Sequence, residues 1–182
     1  MLNLSNDPSS GRPSREGAPV NPASLGPAFV HHAFPSVRTD GRLHKLWLAM
    51  QRRAWSSLAV VAASRSVDTL EIAELFAKLA WWYGGQASCV FDLRDLSFRL
   101  VEYHQREVHA QAAAGSCVVM ALRPMGDNPT TIPMAHSADA VVLCVDLGKA
   151  HLKAVAQTLS AVGRGRVLGS IVLGEGTARG AT

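Results

Sequence analysis

Short apolar runs alternate with longer amphipathic stretches through the middle of the chain. The apolar runs have the length of strands and lie at 58–63, 88–91, 117–122, 140–145 and 167–173. Near-continuous apolar strands separated by amphipathic helices are typical of a parallel sheet that is covered on both faces. The pattern therefore predicts a doubly wound α/β fold with five mainly parallel strands and helices on both faces.

Helical periodicity accounts for most of the remaining segments. Leu43, Leu46, Trp47 and Met50 recur at helical spacing, which predicts a short amphipathic helix after residue 42. Further helices are predicted over 66–83, 96–113 and 149–162. The proline-punctuated segment 124–133 is predicted to be a loop.

The beginning of the chain has a different composition. Six of the nine prolines lie within the first 40 residues, among Ser, Asn and Gly and without an apolar period. Such segments cannot bury enough apolar surface to fold alone. We expect a disordered tail over 1–41, one α/β domain over 42–175 and a flexible C-terminus over 176–182.

Charge and cysteine content change this picture little. The net charge of +4 is spread along the chain, so it argues only weakly for a nucleic-acid or membrane surface. No apolar run reaches the roughly 18 residues of a transmembrane helix, and the N-terminus does not have the pattern of a signal peptide. Cys89, Cys117 and Cys144 lie in apolar strands without metal-ligand spacing, so we expect reduced, buried thiols in a cytoplasmic protein.

The successive strands and the loops that follow them carry a resemblance to a known family. The segments that carry it are Leu58 to Ser64, Leu75 to Ala80, Cys89 to Arg94, Val118 to Pro124, Ala138 to Val145 and Val167 to Leu173. In this order they resemble the strands of the deviant Walker P-loop ATPases. The closest match is the cytoplasmic tyrosine-autokinase domain that accompanies capsular and exopolysaccharide chain-length regulators. The resemblance covers about Arg42 to Gly174 and implies a P-loop NTPase-like fold.

The phosphate-binding residues of that family are missing after the first strand. A phosphate loop needs glycines, a lysine for the phosphates and a hydroxyl for Mg²⁺. No glycine lies between Ala63 and Tyr83, and the position of the family's lysine falls at about Thr69. Asp68 and Glu71 instead fit an N-cap acid and an acidic N3 residue, which would satisfy the first N–H groups of the helix internally.

The next two loops keep part of the family pattern. Asp92 matches the first acid of an Asp-x-Asp motif, but Arg94 stands at the second acid unless the register shifts to Asp95. The family's Asp-Thr-Pro-Pro after the third strand is replaced by a run that ends Arg123-Pro124. The resemblance therefore leaves Arg65, Thr69 and Asp92 as a remnant of a nucleotide site, with no catalytic residue and no cofactor expected.

The remaining histidine, cysteine and aromatic residues predict a possible partner surface but no metal site. The seven histidines and three cysteines show no zinc-ligand spacing. The family's acceptor tyrosines in the C-terminal tail have no counterpart here. Trp47, Trp81 and Trp82 are candidates for a partner surface, because aromatic side chains are enriched in interfaces, although core packing is an equal alternative for the pair at 81 and 82.

The resemblance and the missing residues together favour a non-catalytic accessory protein of exopolysaccharide or capsule biosynthesis and export. The resemblance implies an inner-membrane chain-length regulator or an active kinase homologue as partner, with membrane location only through that partner. Formation of a homo-oligomer is left open, and no nucleic-acid partner is expected. One alternative is a weakly active kinase-like protein that binds Mg-ATP through Asp92 and Arg65. Another is a partition- or division-type regulator that binds DNA or membrane through Arg52, Arg53 and the tail.

Overall fold

The computed structural model describes residues 41–173, with side chains from residue 45 onward. The predicted tail, apart from Gly41, and the predicted flexible C-terminus lie outside the described residues. The elements in chain order are α1 (Gly41–Met50), β1 (Ser57–Ala62), α2 (Thr69–Gly84), β2 (Ser88–Asp92), α3 (Val101–Ala113), β3 (Cys117–Leu122), α4 (Thr131–Ser137), β4 (Ala140–Asp146), α5 (Leu152–Val162) and β5 (Val167–Leu173).

The five strands form one parallel sheet in the order β2-β3-β1-β4-β5. This arrangement confirms the predicted α/β fold with a five-stranded parallel sheet. The connection through α2 runs towards one edge of the sheet, and the connections through α3, α4 and α5 run towards the other edge. Right-handed crossovers therefore place α2 on one face and the other three helices on the opposite face.

Each face of the sheet has its own apolar core. Alternate residues of the central strand point to opposite faces, so Val60 packs with Phe76 and Leu79 of α2, together with Trp47 of α1. On the other face, Val61 belongs to the cluster formed with α3, α4 and α5. All six residues of β1 and of β3 are buried, because helices cover both of their faces.

Several predicted boundaries were wrong. The helix α2 begins three residues later than predicted, and α3 begins five residues later, after a short 3-10 turn over Phe98–Leu100. The helix α4 begins within the segment predicted as a loop, and Pro133 lies in the first turn of that helix. Proline is tolerated there because a first-turn N–H has no partner within the helix. The fifth helix begins three residues later than predicted, after Gly148 turns the chain at a φ of 83°.

The cysteines are buried and free, as predicted. Burial raises the pKa of Cys89 to about 11 and the pKa values of Cys117 and Cys144 to about 12. Among the described residues, no helix has the length and apolar character needed to cross a membrane.

A carboxylate joins the amino ends of the two central strands β1 and β4. Asp139 Oδ2 accepts hydrogen bonds from the N–H groups of Ser56 and Ser57, both at 2.9 Å, and from Ser57 Oγ at 3.0 Å. Desolvation raises the pKa of Asp139, but these donors outweigh it and hold the pKa below its usual value. The bound carboxylate therefore stabilises the folded state while it is ionised.

We predict that Asp139→Asn lowers the free energy of unfolding by about 1 kcal/mol at neutral pH, because the substitution removes a charged acceptor in a partly exposed place. The folded pKa of Asp139 is lowered, so its contribution is present above the ordinary aspartate pKa of about 3.9 and is lost as the pH falls through the folded value. Urea unfolding of the wild type and of Asp139→Asn should show a smaller difference in the free energy of unfolding at about pH 3 than at about pH 7.

Asp95→Asn is the matched control, since its exposed carboxylate pairs with Arg123 on the surface. It should change stability by less than about 0.5 kcal/mol. Equal losses in the two variants, or a difference that stays constant with pH, would contradict the assigned role of Asp139.

Candidate functional site

A cleft of about 310 Å³ opens at the carboxyl ends of β1, β3 and β4. The connection after β1 leads to one face of the sheet, whereas those after its neighbours β3 and β4 lead to the other face. Loops that diverge in this way leave a crevice, which is the usual ligand position in open α/β sheets. The side chains that line it are Ala63, Ser64, Arg65, Pro124, Met125, Asp127, Lys149, His151, Ala154, Gln157 and Thr158, with the backbone of Gly126.

The cations of this cleft are paired with acids of the same protein. Arg65 Nε and Nη2 both lie 2.7 Å from Asp127 Oδ1, which joins the loop after β1 to the loop after β3. Lys149 Nζ lies 3.5 Å from Asp146 Oδ2. Arg65 therefore neutralises a neighbouring carboxylate instead of presenting an unpaired charge to a ligand. Asp127 Oδ2 is buried and has no hydrogen-bond partner within the described part of the chain.

The N-terminus of α2 is capped from within, as the sequence predicts. Asp68 Oδ1 accepts hydrogen bonds from the N–H groups of Leu70 at 2.9 Å and Glu71 at 3.4 Å. In a phosphate loop these groups and the positive end of the helix dipole face the anion. A carboxylate in that place repels a second anion and uses the donors that would bind it.

Arg94 joins this cap to the end of β2. Its Nη1 lies 3.1 Å from Asp68 Oδ1, while Nε and Nη2 form a bidentate pair with the two carboxylate oxygens of Asp92, both at 2.8 Å. The hydrogen bond from the Arg94 side chain is the main cause that lowers the pKa of Asp92. Arg94 thus neutralises Asp92, the acid that was predicted to belong to a nucleotide-site remnant.

The three predicted remnant residues do not form one site. Arg65 binds Asp127, Asp92 binds Arg94, and Thr69 is a buried residue at the start of α2. No hydrogen bond or ion pair joins any two of Arg65, Thr69 and Asp92, all of which the structure describes. The sequence indicated that each of these residues lies near the carboxyl ends of the strands, but it did not indicate which side chain each residue pairs with.

Asn128 has a role that the sequence analysis missed. Its Nδ2 donates to the carbonyl oxygens of Arg94 at 3.2 Å and Leu96 at 3.1 Å, and its Oδ1 accepts from the N–H and hydroxyl of Thr130. These bonds fasten the loop after β3 to the loop after β2. The carbonyl oxygens of Arg94 and Leu96 are 34 and 32 residues away in the chain, so local spacing contains no signal for the bonds from Nδ2.

The predicted tryptophan surface is divided by the fold. Trp47 is only 6% exposed and packs edge-on against Trp55, with ring centroids 6.2 Å apart, so it belongs to the core and not to a partner surface. Trp81 is 57% exposed near the end of α2, and Trp82 is half-buried. Adjacent helical residues point in different directions, which separates their environments.

A second exposed apolar group lies where α3 begins. We call Phe98, Leu100 and Tyr103 the α3 patch, since each of these large side chains has roughly half or more of its surface exposed. Tyr103 also contacts the ring of His104 edge-on, and burial lowers the pKa of that histidine. The sequence analysis did not single out these residues, because the short turn over Phe98–Leu100 has no helical period.

Within the residues that the structure describes, no group of three or more His, Cys, Asp or Glu side chains is arranged to hold a metal ion.

Comparisons with known proteins assign no family to the chain: no protein-family model matches it, and no curated protein matches it at a significant level. The features of the protein that bear on its function are the cleft, the ion pairs around it and the exposed apolar groups.

We predict that Arg94→Met raises the pKa of Asp92, because it removes the guanidinium that pairs with Asp92 and Asp68. In the wild-type protein the lowered pKa contributes stability above the ordinary aspartate value, and this is lost as the pH falls through the folded value. Solvent screening limits the cost of the substitution at neutral pH to about 1 kcal/mol. The measurements are an NMR titration of the Asp92 carboxyl group and urea unfolding.

Arg99→Met is the control, because Arg99 is exposed and has no ion pair to another described residue. It should leave both the Asp92 titration and the stability nearly unchanged. An Asp92 pKa that is the same in wild type and Arg94→Met would refute the charge cluster.

Proposed function

We propose that this protein is a non-catalytic accessory protein with a P-loop-like fold, which acts through protein partners in bacterial exopolysaccharide or capsule biosynthesis and export. The pathway comes from the resemblance in the sequence. The absence of catalysis is inferred from the Asp68 carboxylate, which occupies the helix N-terminus that would hold a phosphate. A cytoplasmic location, with membrane attachment only through a partner, belongs to the same proposal.

The charges around the cap support this proposal. Asp92, the candidate ligand for Mg²⁺, already has both oxygens bound by Arg94. A divalent ion at Asp92 would have to displace that bidentate pair and would then lie beside the guanidinium. Such an exchange costs a charge-assisted interaction and adds repulsion between like charges.

The strand order is compatible with the resemblance. It places β1 between β3 and β4, so the loops that were compared with the family lie together at the carboxyl ends of the strands. The strands supply the shape of a nucleotide-binding fold, while the loop residues supply internal ion pairs. Function on such a scaffold must be argued from the site and not from the fold.

A weakly active ATP-binding protein of the same pathway is the second candidate, and the open cleft favours it. The cleft is as large as small-molecule sites in proteins, and Arg65, Lys149 and His151 line it. A nucleotide there would have to compete with Asp127 for Arg65 and with Asp146 for Lys149.

We expect no binding of Mg-ATP or Mg-ADP tighter than about 100 μM, which corresponds to about 5 kcal/mol. Calorimetric titration should give no heat of binding, and the thermal midpoint should not rise with nucleotide, since a ligand that binds the native state must stabilise it. Tighter binding that Arg65→Ala abolishes would reject the non-catalytic proposal in favour of the second candidate.

The α3 patch is the surface we assign to the partner, because exposed apolar groups of this kind mark interaction sites. We predict that tagged protein captures an inner-membrane chain-length regulator or a kinase homologue from its native cells. The double variant Phe98→Ser and Tyr103→Ser should reduce the recovery of that partner at least tenfold.

Trp81→Ser removes a comparably exposed aromatic ring on α2 and is the matched control. Loss of capture with Trp81→Ser alone would transfer the contact to the predicted tryptophan surface. Failure to capture any component of polysaccharide synthesis or export would contradict the proposed pathway.

A further inference from the structure

The loops at the amino ends of the strands carry an unbalanced positive charge. These loops comprise residues 51–56, 85–87, 114–116, 138–139 and 163–166. Their charged side chains are four arginines and one acid: Arg52, Arg53, Arg164, Arg166 and Asp139. The acid is bound by Ser56 and Ser57 and forms no ion pair with any of the four arginines. The positive charge at this end of the sheet is therefore not neutralised by the described residues.

The carboxyl ends of the strands differ in this respect, because their acids and bases are paired. Each of five aspartates there lies in an ion pair with an arginine or a lysine; they are Asp68, Asp92, Asp95, Asp127 and Asp146. An anion that approaches the carboxyl ends meets paired charges. An anion that approaches the amino ends meets an excess of guanidinium groups.

The fold brings two separate pairs of arginines together at the amino ends. Arg53 Nη1 donates to the carbonyl oxygen of Gly165 at 2.7 Å, although these residues are 112 positions apart in the chain. Gly165 lies between Arg164 and Arg166, and Arg52 precedes Arg53. Only β4 separates β1 from β5, so the loops that carry the two pairs begin about 10 Å apart, or two strand spacings.

All four arginines keep their charge and are exposed. Arg166 Nη1 donates to two carbonyl oxygens at the end of α4, both at 2.9 Å, and Arg53 donates to one. A carbonyl oxygen holds the side chain in place but does not neutralise it. Arg52 and Arg164 form no hydrogen bond or ion pair with another described residue. The surface thus contains two positioned guanidinium groups and two that are available to an anion.

Phosphate groups of a nucleic acid match this surface better than other polyanions do. A guanidinium group binds phosphate through paired N–H groups. Among the described residues, none of the large exposed apolar side chains lies in these loops. A protein partner or a bilayer would therefore find no apolar anchor here. A phosphodiester backbone carries closely spaced charges and needs no such anchor.

We propose that the amino-end arginine surface, made of Arg52, Arg53, Arg164 and Arg166, binds the phosphate backbone of nucleic acid without base specificity. Contacts to phosphate position a protein but carry no direct sequence information. Charge that is spread along the chain is gathered on one surface by the fold, which adds the pair at 164 and 166 to the pair at 52 and 53. This binding is independent of the proposed pathway.

Fluorescence anisotropy of a labelled DNA duplex of about 20 base pairs should show binding to the 182-residue chain at about 50 mM salt. Contacts to three or four phosphates should weaken the binding about a hundredfold at about 200 mM salt. Arg52→Ser combined with Arg164→Ser removes the two cations that no described residue binds. This double variant should bind DNA at least tenfold more weakly than the wild type and with a shallower dependence on salt.

Arg99→Ser combined with Lys153→Ser is the matched control, because it removes the same charge from two exposed residues near the carboxyl ends of the strands. The control should bind DNA as the wild type does, and circular dichroism checks that each variant is folded. If either double variant is not folded, the single substitutions Arg52→Ser and Arg99→Ser give the same comparison.

Three results of the DNA titrations would overturn the proposal: no binding at low salt, binding that does not depend on salt, or equal losses in the two double variants. Polyglutamate and phosphatidylglycerol vesicles distinguish the other sources of negative charge. Tighter binding to either of them than to DNA would also overturn the proposal, and would assign the surface to an acidic protein or to a membrane.

Discussion

Burial of β1 and β3 on both faces is the constraint on which the rest of the structure depends. A strand with no solvent-facing side has no place for polar side chains along its length, so the polar groups collect in the loops at its ends. At the amino end, Asp139 fastens β1 to β4. At the carboxyl end, the divergence of the loops opens the cleft.

The charged side chains at the carboxyl ends of the strands are paired with one another. Arg94 bridges two carboxylates from different elements, and Arg65 pairs with a third from another loop. In a phosphate-binding loop, by contrast, the helix N-terminus must remain available to the phosphate. An edge that is paired internally gives a stable scaffold, and this is the physical basis for proposing that the protein works through surfaces and not through chemistry.

The surfaces available for such work are separate from the cleft. The α3 patch offers exposed apolar side chains, whereas the amino-end arginine surface offers positive charge.

The sequence by itself determined the central strands, because a strand buried on both faces must be apolar throughout, and β3 occupies the range expected from that pattern. β5 also occupies its expected range, although it lies at the edge of the sheet and is only partly buried. The sequence also determined the Asp68 cap, since capping is local to the first turn. The helix α4 was missed because its proline suggested a loop. Tertiary structure alone decided how the candidate site residues are paired or buried. Asp127 is 62 residues from Arg65, and Arg94 is 26 residues from Asp68. Trp47 lies in the core because α1 packs against α2. Ion pairs and burial of this kind depend on which elements the fold brings together, and no local spacing records that.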